Sequence, residues 1–262
     1  DTEKAEAWAN EGGLNGKNPV IVSTVQTQIS GMDGKGRMSR FNPHEFALLW
    51  IDEAHHAPAA SYRRVIDYYK QNPNLKVLGV TATPDRHDGK ALRQIFHSVA
   101  FDYGILDAIN DGWLVPIEQQ FVYVDELEFA PLETVAGDFH QGQLADLMQR
   151  DKVLFGVSGA TMRIAGDRKA LVFAHNVEQA RALKGIFNAQ GKTRAQLVLG
   201  ITPKNERAGI ISAFRCGAIP YLVNVGVATE GFDVPDIEIV VIGRPTKSRA
   251  LYTQMVGRGT RL

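Results

Sequence analysis

The residues most able to do chemistry are two adjacent carboxylates, Asp52 and Glu53. They directly follow the apolar run Leu48-Leu49-Trp50-Ile51 and precede Ala54 and His55. Phosphoryl transfer to water needs one carboxylate to hold the Mg²⁺ that bridges the terminal phosphates, and a second group to orient or deprotonate the attacking water. A carboxylate pair that ends an apolar strand could supply both groups. Two adjacent acids without such a strand would be ordinary surface residues.

A second set of polar side chains, Gln254, Arg258 and Arg261, lies in the last part of the sequence. Spacings of four and three would place all three on one side of the segment if it is helical. Guanidinium groups can neutralise the charge that develops on a transferred phosphoryl group, which is worth roughly 10³–10⁵ in rate in some NTPases. The alternative is a solvated face, which is the usual role of clustered charges.

Short apolar runs that alternate with longer amphipathic stretches must position these side chains. This rhythm is typical of βα units around parallel strands that are buried on both faces. Helices are predicted over residues 62–70, 177–188, 205–214 and about 144–164. A polar cluster follows each apolar run, and ligands of open α/β sheets bind outside the carboxyl ends of the strands. The runs cover residues 20–22, 48–51, 77–80, 171–173, 221–223 and 239–242.

The segment Leu-Leu-Trp-Ile-Asp-Glu-Ala-His at residues 48–55 resembles the Walker B motif of DEAH-box superfamily 2 proteins. The resemblance implies that Asp52 holds Mg²⁺, through water, and that Glu53 is the catalytic base. It also implies that His55 couples the nucleotide to the rest of the site. Zinc is the rival reading of a histidine pair, but His55 and His56 lack the His-Glu-x-x-His spacing and no cysteine cluster accompanies them.

Two further polar stretches in the first half resemble motifs of the same family. Residues 80–84, Val-Thr-Ala-Thr-Pro, resemble motif III, which relays the nucleotide state to the nucleic-acid site. Residues 22–27, Val-Ser-Thr-Val-Gln-Thr, resemble motif Ib. Short polar groups of this kind fix the position of a strand without reading its sequence. The resemblance implies nucleic-acid contacts from Thr24, Gln26, Thr81 and Thr83.

The second half carries three more stretches that resemble family motifs. Residues 227–235 resemble motif V, which implies that Thr229 contacts the nucleic-acid backbone while Gly231 and Asp233 face the nucleotide. Residues 254–261, Gln-Met-Val-Gly-Arg-Gly-Thr-Arg, resemble motif VI. Residues 171–176 resemble motif IV less closely, so two readings stay open for their polar end: His175 and Asn176 contact backbone phosphates, or they only end a strand.

A motor of this family also needs a phosphate-binding loop, Gly-x-x-x-x-Gly-Lys-Ser/Thr. The nearest string is residues 12–18, but Glu11 stands where the first glycine belongs and Asn18 stands where the Mg²⁺-binding hydroxyl belongs. It also lies too close to Asp52 in the sequence to fit the family's order of motifs. We therefore expect a surface loop here, and we expect the true phosphate loop to lie upstream of Asp1.

The family resemblance implies an α/β fold of two RecA-like lobes, each with a parallel sheet flanked by helices. We expect residues 1–115 to form the first lobe, truncated at its N-terminal side, with motifs Ib, II and III. Residues 116–262 would form the second lobe with motifs IV, V and VI. The boundary is predicted from Gly112, Pro116 and the strand-like residues 119–124.

The implied function is an ATP-dependent helicase or translocase that hydrolyses ATP·Mg²⁺ between the lobes and acts on nucleic acid. Motifs V and VI look most like RadD-like and restriction-type motors, which favours DNA over RNA. A non-catalytic nucleic-acid clamp without a phosphate loop is the alternative from another class.

Bulk composition limits the partners and the compartment. The 29 basic and 29 acidic residues balance, so a strongly basic nucleic-acid footprint is missing. The single cysteine excludes an internal disulfide framework. We see no signal-peptide pattern and no apolar run near the ~18 residues that span a bilayer. A cytoplasmic protein without a membrane partner is therefore expected.

Overall fold

A computed structural model describes residues 20–31, 36–82, 92–135, 137–189, 195–228, 232, 234 and 236–261. The chain divides into two compact units, Asp1–Phe101 and Asp102–Leu262, which we call the N-terminal and C-terminal units. This division falls ahead of the boundary predicted at residue 116. The α/β character expected from the sequence is present in both units.

The N-terminal unit contains two parallel strands, β1 (Leu48–Ile51) and β2 (Lys76–Gly79), with Ile51 opposite Gly79. Helix α2 (Ala60–Tyr69) connects them, and α1 (Val25–Ile29) packs against α2. The described residues of this unit also form three short 3-10 helices: Arg37–Arg40, Pro43–Glu45 and Ala54–His56.

Only one face of this two-stranded sheet is covered in the described part of the unit. Ile51, Ala54 and Ile66 form its core, and Leu49 packs against them. Successive side chains of a strand alternate between faces, so every second side chain lies on the opposite face, which is open. The prediction of burial on both faces is therefore wrong for β1 and β2. The exposed fractions are 49% for Leu48, 63% for Trp50, 37% for Leu78 and 42% for Val80.

The predicted strand at residues 20–22 is also wrong. Its backbone belongs to no sheet, and Val20 and Val22 are 69% and 85% exposed. A strand needs a neighbouring backbone for its N–H and C=O groups. In the described residues β1 and β2 pair only with each other.

The C-terminal unit is built on a four-stranded parallel sheet with the order β6-β7-β5-β8. The strands are β5 (Ala170–Ala174), β6 (Ala195–Val198), β7 (Tyr221–Asn224) and β8 (Ile239–Gly243). An antiparallel hairpin, β3 (Thr134–Val135) and β4 (Asp138–Phe139), lies ahead of the sheet in the chain. The helices are α3 (Ile105–Asn110), α4 (Gln141–Met148), α5 (Asp151–Ala165), α6 (Val177–Ala189), α7 (Lys204–Arg215) and α8 (Arg249–Val256).

Both faces of this larger sheet are covered, as the sequence predicts. Every residue of β5 and β7 is buried. Alternate residues of β5 enter two separate cores: Val172 packs with Phe187 of α6 on one face, and Phe173 packs with Phe214 of α7 and Met255 of α8 on the other. The sheet is therefore the rigid support of this unit.

Two details of the C-terminal unit differ from expectation. The predicted strand at residues 119–124 is not a strand, and its Phe121 and Tyr123 are 89% and 92% exposed. The single helix predicted near residues 144–164 is instead the pair α4 and α5, which meet at Gln149 and Arg150. No helix in the described part of the chain is long and apolar enough to cross a membrane.

Candidate functional site

The carboxylate pair lies where β1 ends. Asp52 is exposed and Glu53 is half-buried. The Glu53 N–H donates to Asp52 Oδ1 at 2.9 Å. Glu53 adopts left-handed backbone angles, φ 48° and ψ 50°, which cost a non-glycine residue about 1–2 kcal/mol. This turn ends the extended backbone of the strand and precedes the 3-10 helix Ala54–His56.

His55 links this pair to the loop after β2. Its Nδ1 lies 3.0 Å from Thr81 Oγ1 and 3.4 Å from Glu53 Oε2. Only 13% of the His55 side chain is exposed. The donor in the contact with Thr81 depends on the tautomer of His55, whereas the Glu53 carboxylate can only accept and forms an ion pair only when His55 is protonated. One imidazole nitrogen therefore touches both the predicted base and the predicted relay hydroxyl.

Parallel pairing brings the two loops together. The Ala54 N–H donates to the Val80 carbonyl at 2.9 Å, and the Val80 N–H donates to the Ile51 carbonyl at 2.9 Å. Gly79 makes the close approach possible, because a Cβ there would lie 2.8 Å from Ala54 Cβ and 2.4 Å from the Phe96 ring. The sheet edge thus fixes His55 next to Thr81.

The acids at this edge fit Mg²⁺ better than they fit a metal ion whose ligands are all protein side chains. Mg²⁺ is usually held by one or two carboxylates together with substrate phosphates and water. Asp52 offers one exposed carboxylate at the end of β1. Among the described residues, no group of three or more His, Cys, Asp or Glu side chains could hold a metal ion.

The remaining predicted nucleic-acid and nucleotide residues divide into described and undescribed positions. Thr24 is the N-cap of α1, where its hydroxyl accepts from the Thr27 N–H at 3.2 Å, and Gln26, two residues further on, is exposed. The other four positions lie outside the described residues: Thr83, Thr229, Gly231 and Asp233.

His175, at the end of β5, is 8% exposed. Its Nε2 lies 3.2 Å from the Gln141 carbonyl, which can only accept, so Nε2 carries the proton. Within the described residues Nδ1 has no hydrogen-bond partner. Burial lowers the pKa of His175, and the charge of Arg244 acts in the same direction. A neutral, buried imidazole fits the end of a strand better than a phosphate contact.

Asn176 acts as a helix cap. Its Oδ1 accepts from the Gln179 N–H at 2.8 Å, and its carbonyl accepts from the Ala180 N–H at 3.1 Å. Such a cap satisfies backbone donors at the start of α6. The two readings left open for this stretch are thus weighted towards a structural role.

Two buried amides that the sequence analysis missed hold the strand ends in register. Gln179 is fully buried; its Oε1 accepts from the His175 N–H at 2.6 Å and its Nε2 donates to the Gly243 carbonyl at 3.1 Å. Asn224 donates to the Val172 carbonyl at 3.1 Å and accepts from the Ala228 N–H at 3.3 Å. Gln179 lies one turn before buried Leu183 of α6, and a polar residue on an apolar helix face was the available signal.

The three polar residues near the end of the chain do not share one helix. Helix α8 ends at Val256, Arg258 lies in the 3-10 turn Gly257–Gly259, and Arg261 follows that turn. The segment is therefore not one continuous helix, and the condition for placing all three side chains on one side is not met. Glycines disfavour helix, and Gly259 packs so close to β8 that a Cβ would lie 2.7 Å from Val240 Cγ2.

Each of these three side chains is half-buried. Arg258 Nη1 donates to the Phe232 carbonyl at 2.7 Å, so the guanidinium is held at the segment that resembles motif V. Gln254 precedes buried Met255, which fixes the end of α8 in the core. The arrangement holds the Arg258 guanidinium next to Phe232.

The 262 residues contain no complete Gly-x-x-x-x-Gly-Lys-Ser/Thr string. Gly191-Lys192-Thr193 matches its end, but Gly185 is one residue too far upstream to complete it. Residues 12–18 and 191–193 both lie outside the described residues.

Two family models match the chain: Type III restriction enzyme, res subunit, over residues 2–86, and Helicase conserved C-terminal domain, over residues 154–262. The chain is 33% identical over 250 residues to the "Putative ATP-dependent helicase IRC3" of Saccharomyces cerevisiae, covering 93% of this chain and 35% of that protein. It is 25% identical over 249 residues to the "DNA 3'-5' helicase XPB" of Mycobacterium tuberculosis, covering 92% and 42%.

The fold matches a solved fragment of a "putative HsdR subunit of a type I restriction enzyme" from Vibrio vulnificus. The TM-score is 0.63 at 24% identity, over 86% of this chain and 42% of that chain. This likeness establishes the RecA-like α/β fold. The chain spans 35% and 42% of the two curated relatives named above. The chain therefore carries a domain of the type III restriction enzyme res-subunit family and a helicase conserved C-terminal domain, and both curated relatives are named as helicases.

Proposed function

We propose that this chain is part of an ATP-dependent DNA motor, in which Glu53 is the catalytic base and Asp52 holds the Mg²⁺ of ATP·Mg²⁺. The contact of His55 Nδ1 with both Glu53 and Thr81 carries the proposal. A base that only deprotonated water would need no link to the next loop. A histidine shared between the two loops gives the ATP site a direct mechanical connection to a second site.

In the proposed chemistry Glu53 accepts a proton from the water that attacks the terminal phosphate. Asp52 would hold the Mg²⁺, which would supply positive charge against the charge of the phosphates. Arg258 and Arg261 would stabilise the charge that develops on the transferred group, and the bond to Phe232 keeps the Arg258 guanidinium oriented. Gly231 and Asp233 are proposed to face the nucleotide.

The proposed nucleic-acid contacts are backbone contacts from Thr24, Gln26, Thr81, Thr83 and Thr229. Exposure of Thr24 and Gln26 supports their part, because such groups must reach solvent to meet a phosphate. His175 and Asn176 are weaker candidates, since one is buried and the other caps α6. DNA is favoured over RNA because the name of the XPB relative specifies DNA.

The test is nucleotide hydrolysis by the protein expressed from its complete reading frame. We expect ATP turnover that single-stranded or duplex DNA stimulates and that RNA of the same length stimulates less. The isolated 262-residue chain should hydrolyse no ATP, because no other sequence in it replaces a phosphate-binding loop. A complete protein that binds DNA but hydrolyses no ATP would support the non-catalytic clamp instead.

A further inference from the structure

The hairpin β3–β4 is hydrogen-bonded to the loop that leads into α8. Asp138 Oδ2 accepts from the Thr246 hydroxyl at 2.7 Å, and Asp138 Oδ1 accepts from the Lys247 N–H at 2.8 Å. Lys247 Nζ also donates to Thr134 Oγ1 and lies 4.6 Å from the centroid of the Phe139 ring. All of these contacts lie inside the C-terminal unit. Residues more than 100 apart in sequence are thus tied together.

The hydrogen bonds continue from this loop into helix α8 itself. The Thr246 hydroxyl, which donates to Asp138, also accepts from the Ser248 N–H at 3.0 Å. Ser248 is the N-cap of α8, where its hydroxyl accepts from the Leu251 N–H at 3.3 Å. A cap of this kind fixes where a helix begins and so fixes the direction of every side chain on it.

The negative charge on Asp138 strengthens the hydrogen bonds between the hairpin and this loop. Burial alone would raise its pKa, but the bonds from Lys247, Thr246 and Phe139 outweigh burial, and the pKa of Asp138 is lowered. Hydrogen bonds to an ionised carboxylate are roughly twice as strong as neutral ones. The far end of α8 is independently anchored by buried Met255. The hairpin therefore supplies the anchor at the near end.

We infer that Asp138 and Thr246 are positioning residues, which set α8 so that Gln254 and Arg258 meet the nucleotide. This inference rests on the proposed function of Arg258, and it adds Gln254 to the side chains proposed to meet the nucleotide. Neither Asp138 nor Thr246 would touch the reacting atoms. They would act through the Ser248 cap and the helix that follows it.

The test compares Thr246→Val, which removes the hydroxyl at nearly constant volume, with Thr246→Ser, which keeps it. In the protein from the complete reading frame, Thr246→Val should lower kcat for ATP by roughly 10–100-fold with little change in KM, since small misplacements of catalytic groups cost this much. Thr246→Ser should restore most of the rate. Asp138→Ala should lower kcat similarly, and the double variant should be no worse than either single one.

Thr202→Val is the matched control. The Thr202 hydroxyl accepts from the Leu199 N–H at 2.9 Å in another loop of the same unit, with no connection to α8 in the contacts described. It should lose comparable thermal stability while keeping kcat. If Thr246→Val loses stability but keeps the wild-type kcat, or if Thr202→Val lowers kcat equally, the positioning role is wrong.

Hydrogen exchange on the 262-residue chain separates this inference from the proposed function. Thr246→Val should speed exchange of the amides in the first turn of α8 by roughly 3–10-fold, the effect of losing one hydrogen bond. Unchanged exchange there would show that the hairpin does not fix the start of α8. A wild-type protein without ATPase would overturn the proposed function and the catalytic part of this inference, while the exchange data would still decide whether the hairpin sets α8.

Discussion

His55 Nδ1 lies 3.0 Å from Thr81 Oγ1, and this contact joins the loops that follow β1 and β2. The same nitrogen lies 3.4 Å from Glu53 Oε2. A change at the carboxylate can therefore reach the Thr81 loop through a single imidazole. This geometry predicts coupling between ATP hydrolysis and nucleic-acid binding.

Replacing His55 should impair that coupling more than the chemistry. In His55→Ala of the complete protein, we expect the stimulation of ATPase by DNA to fall at least about fivefold, the lower end of typical coupling energies, with a smaller loss of the unstimulated rate. Steady-state ATPase with and without DNA measures both. His44→Ala, an exposed histidine in the same unit, is the control. Equal loss of the two rates would place His55 in the chemical step instead.

Binding to single-stranded DNA should be modest and dominated by backbone contacts, because acidic and basic residues balance. Affinity should fall as salt rises, increase with a non-hydrolysable ATP analogue and depend little on base sequence. Titrations at two salt concentrations, with and without the analogue, check each statement. Sequence-specific binding that ignores both salt and nucleotide would contradict a motor.

The two units should differ in resistance to proteolysis. One face of the β1–β2 sheet is exposed in the described residues, whereas β5 and β7 are buried throughout. Local stability follows buried apolar contact. We expect trypsin to degrade residues 1–101 faster than residues 102–262, as followed by mass spectrometry. Equal rates would mean that the N-terminal unit is as well packed as the C-terminal one.

His175 should make the chain sensitive to mild acid. Its pKa is lowered in the folded state by burial, whereas an unfolded histidine titrates near about 6.5. Between these values the unfolded state binds more protons, so stability is complete above about pH 6.5 and decreases as the pH falls towards the folded pKa. Arg244 strengthens this effect, and Asp138 and the Gln141 carbonyl oppose it.

Thermal unfolding of the 262-residue chain at about pH 7.5 and about pH 5.5 measures the effect. His175→Gln keeps a donor for the Gln141 carbonyl but cannot titrate, so its Tm should depend less on pH than that of the wild type. His97→Gln, an exposed histidine, should leave the dependence unchanged. The same pH dependence in His175→Gln and wild type would show that His175 does not control acid stability.

The sequence predicted the parallel strands because their apolar runs are short and each ends in a polar cluster. It also placed the Asp52 and Thr81 clusters at the carboxyl ends of their strands, where ligands of open α/β sheets bind. It could not predict the left-handed backbone of Glu53 or the end of α8 at Val256. The end of α8 lies next to a close contact between residues distant in the sequence, Gly259 and Val240. The Asp138–Thr246 bond is likewise invisible to local patterns, because 108 residues separate the partners.

The most direct test of the account is ATP turnover by Glu53→Gln in the protein from the complete reading frame. The substitution removes the base and keeps the side-chain volume and the Mg²⁺ ligand Asp52, so we expect DNA-stimulated ATPase to fall by about 10²–10⁴-fold with ATP binding retained. Glu45→Gln, an exposed acid of the same unit, should hydrolyse ATP normally. Near-normal turnover in Glu53→Gln, with a normal Glu45→Gln control, would contradict the role of Glu53 as the base.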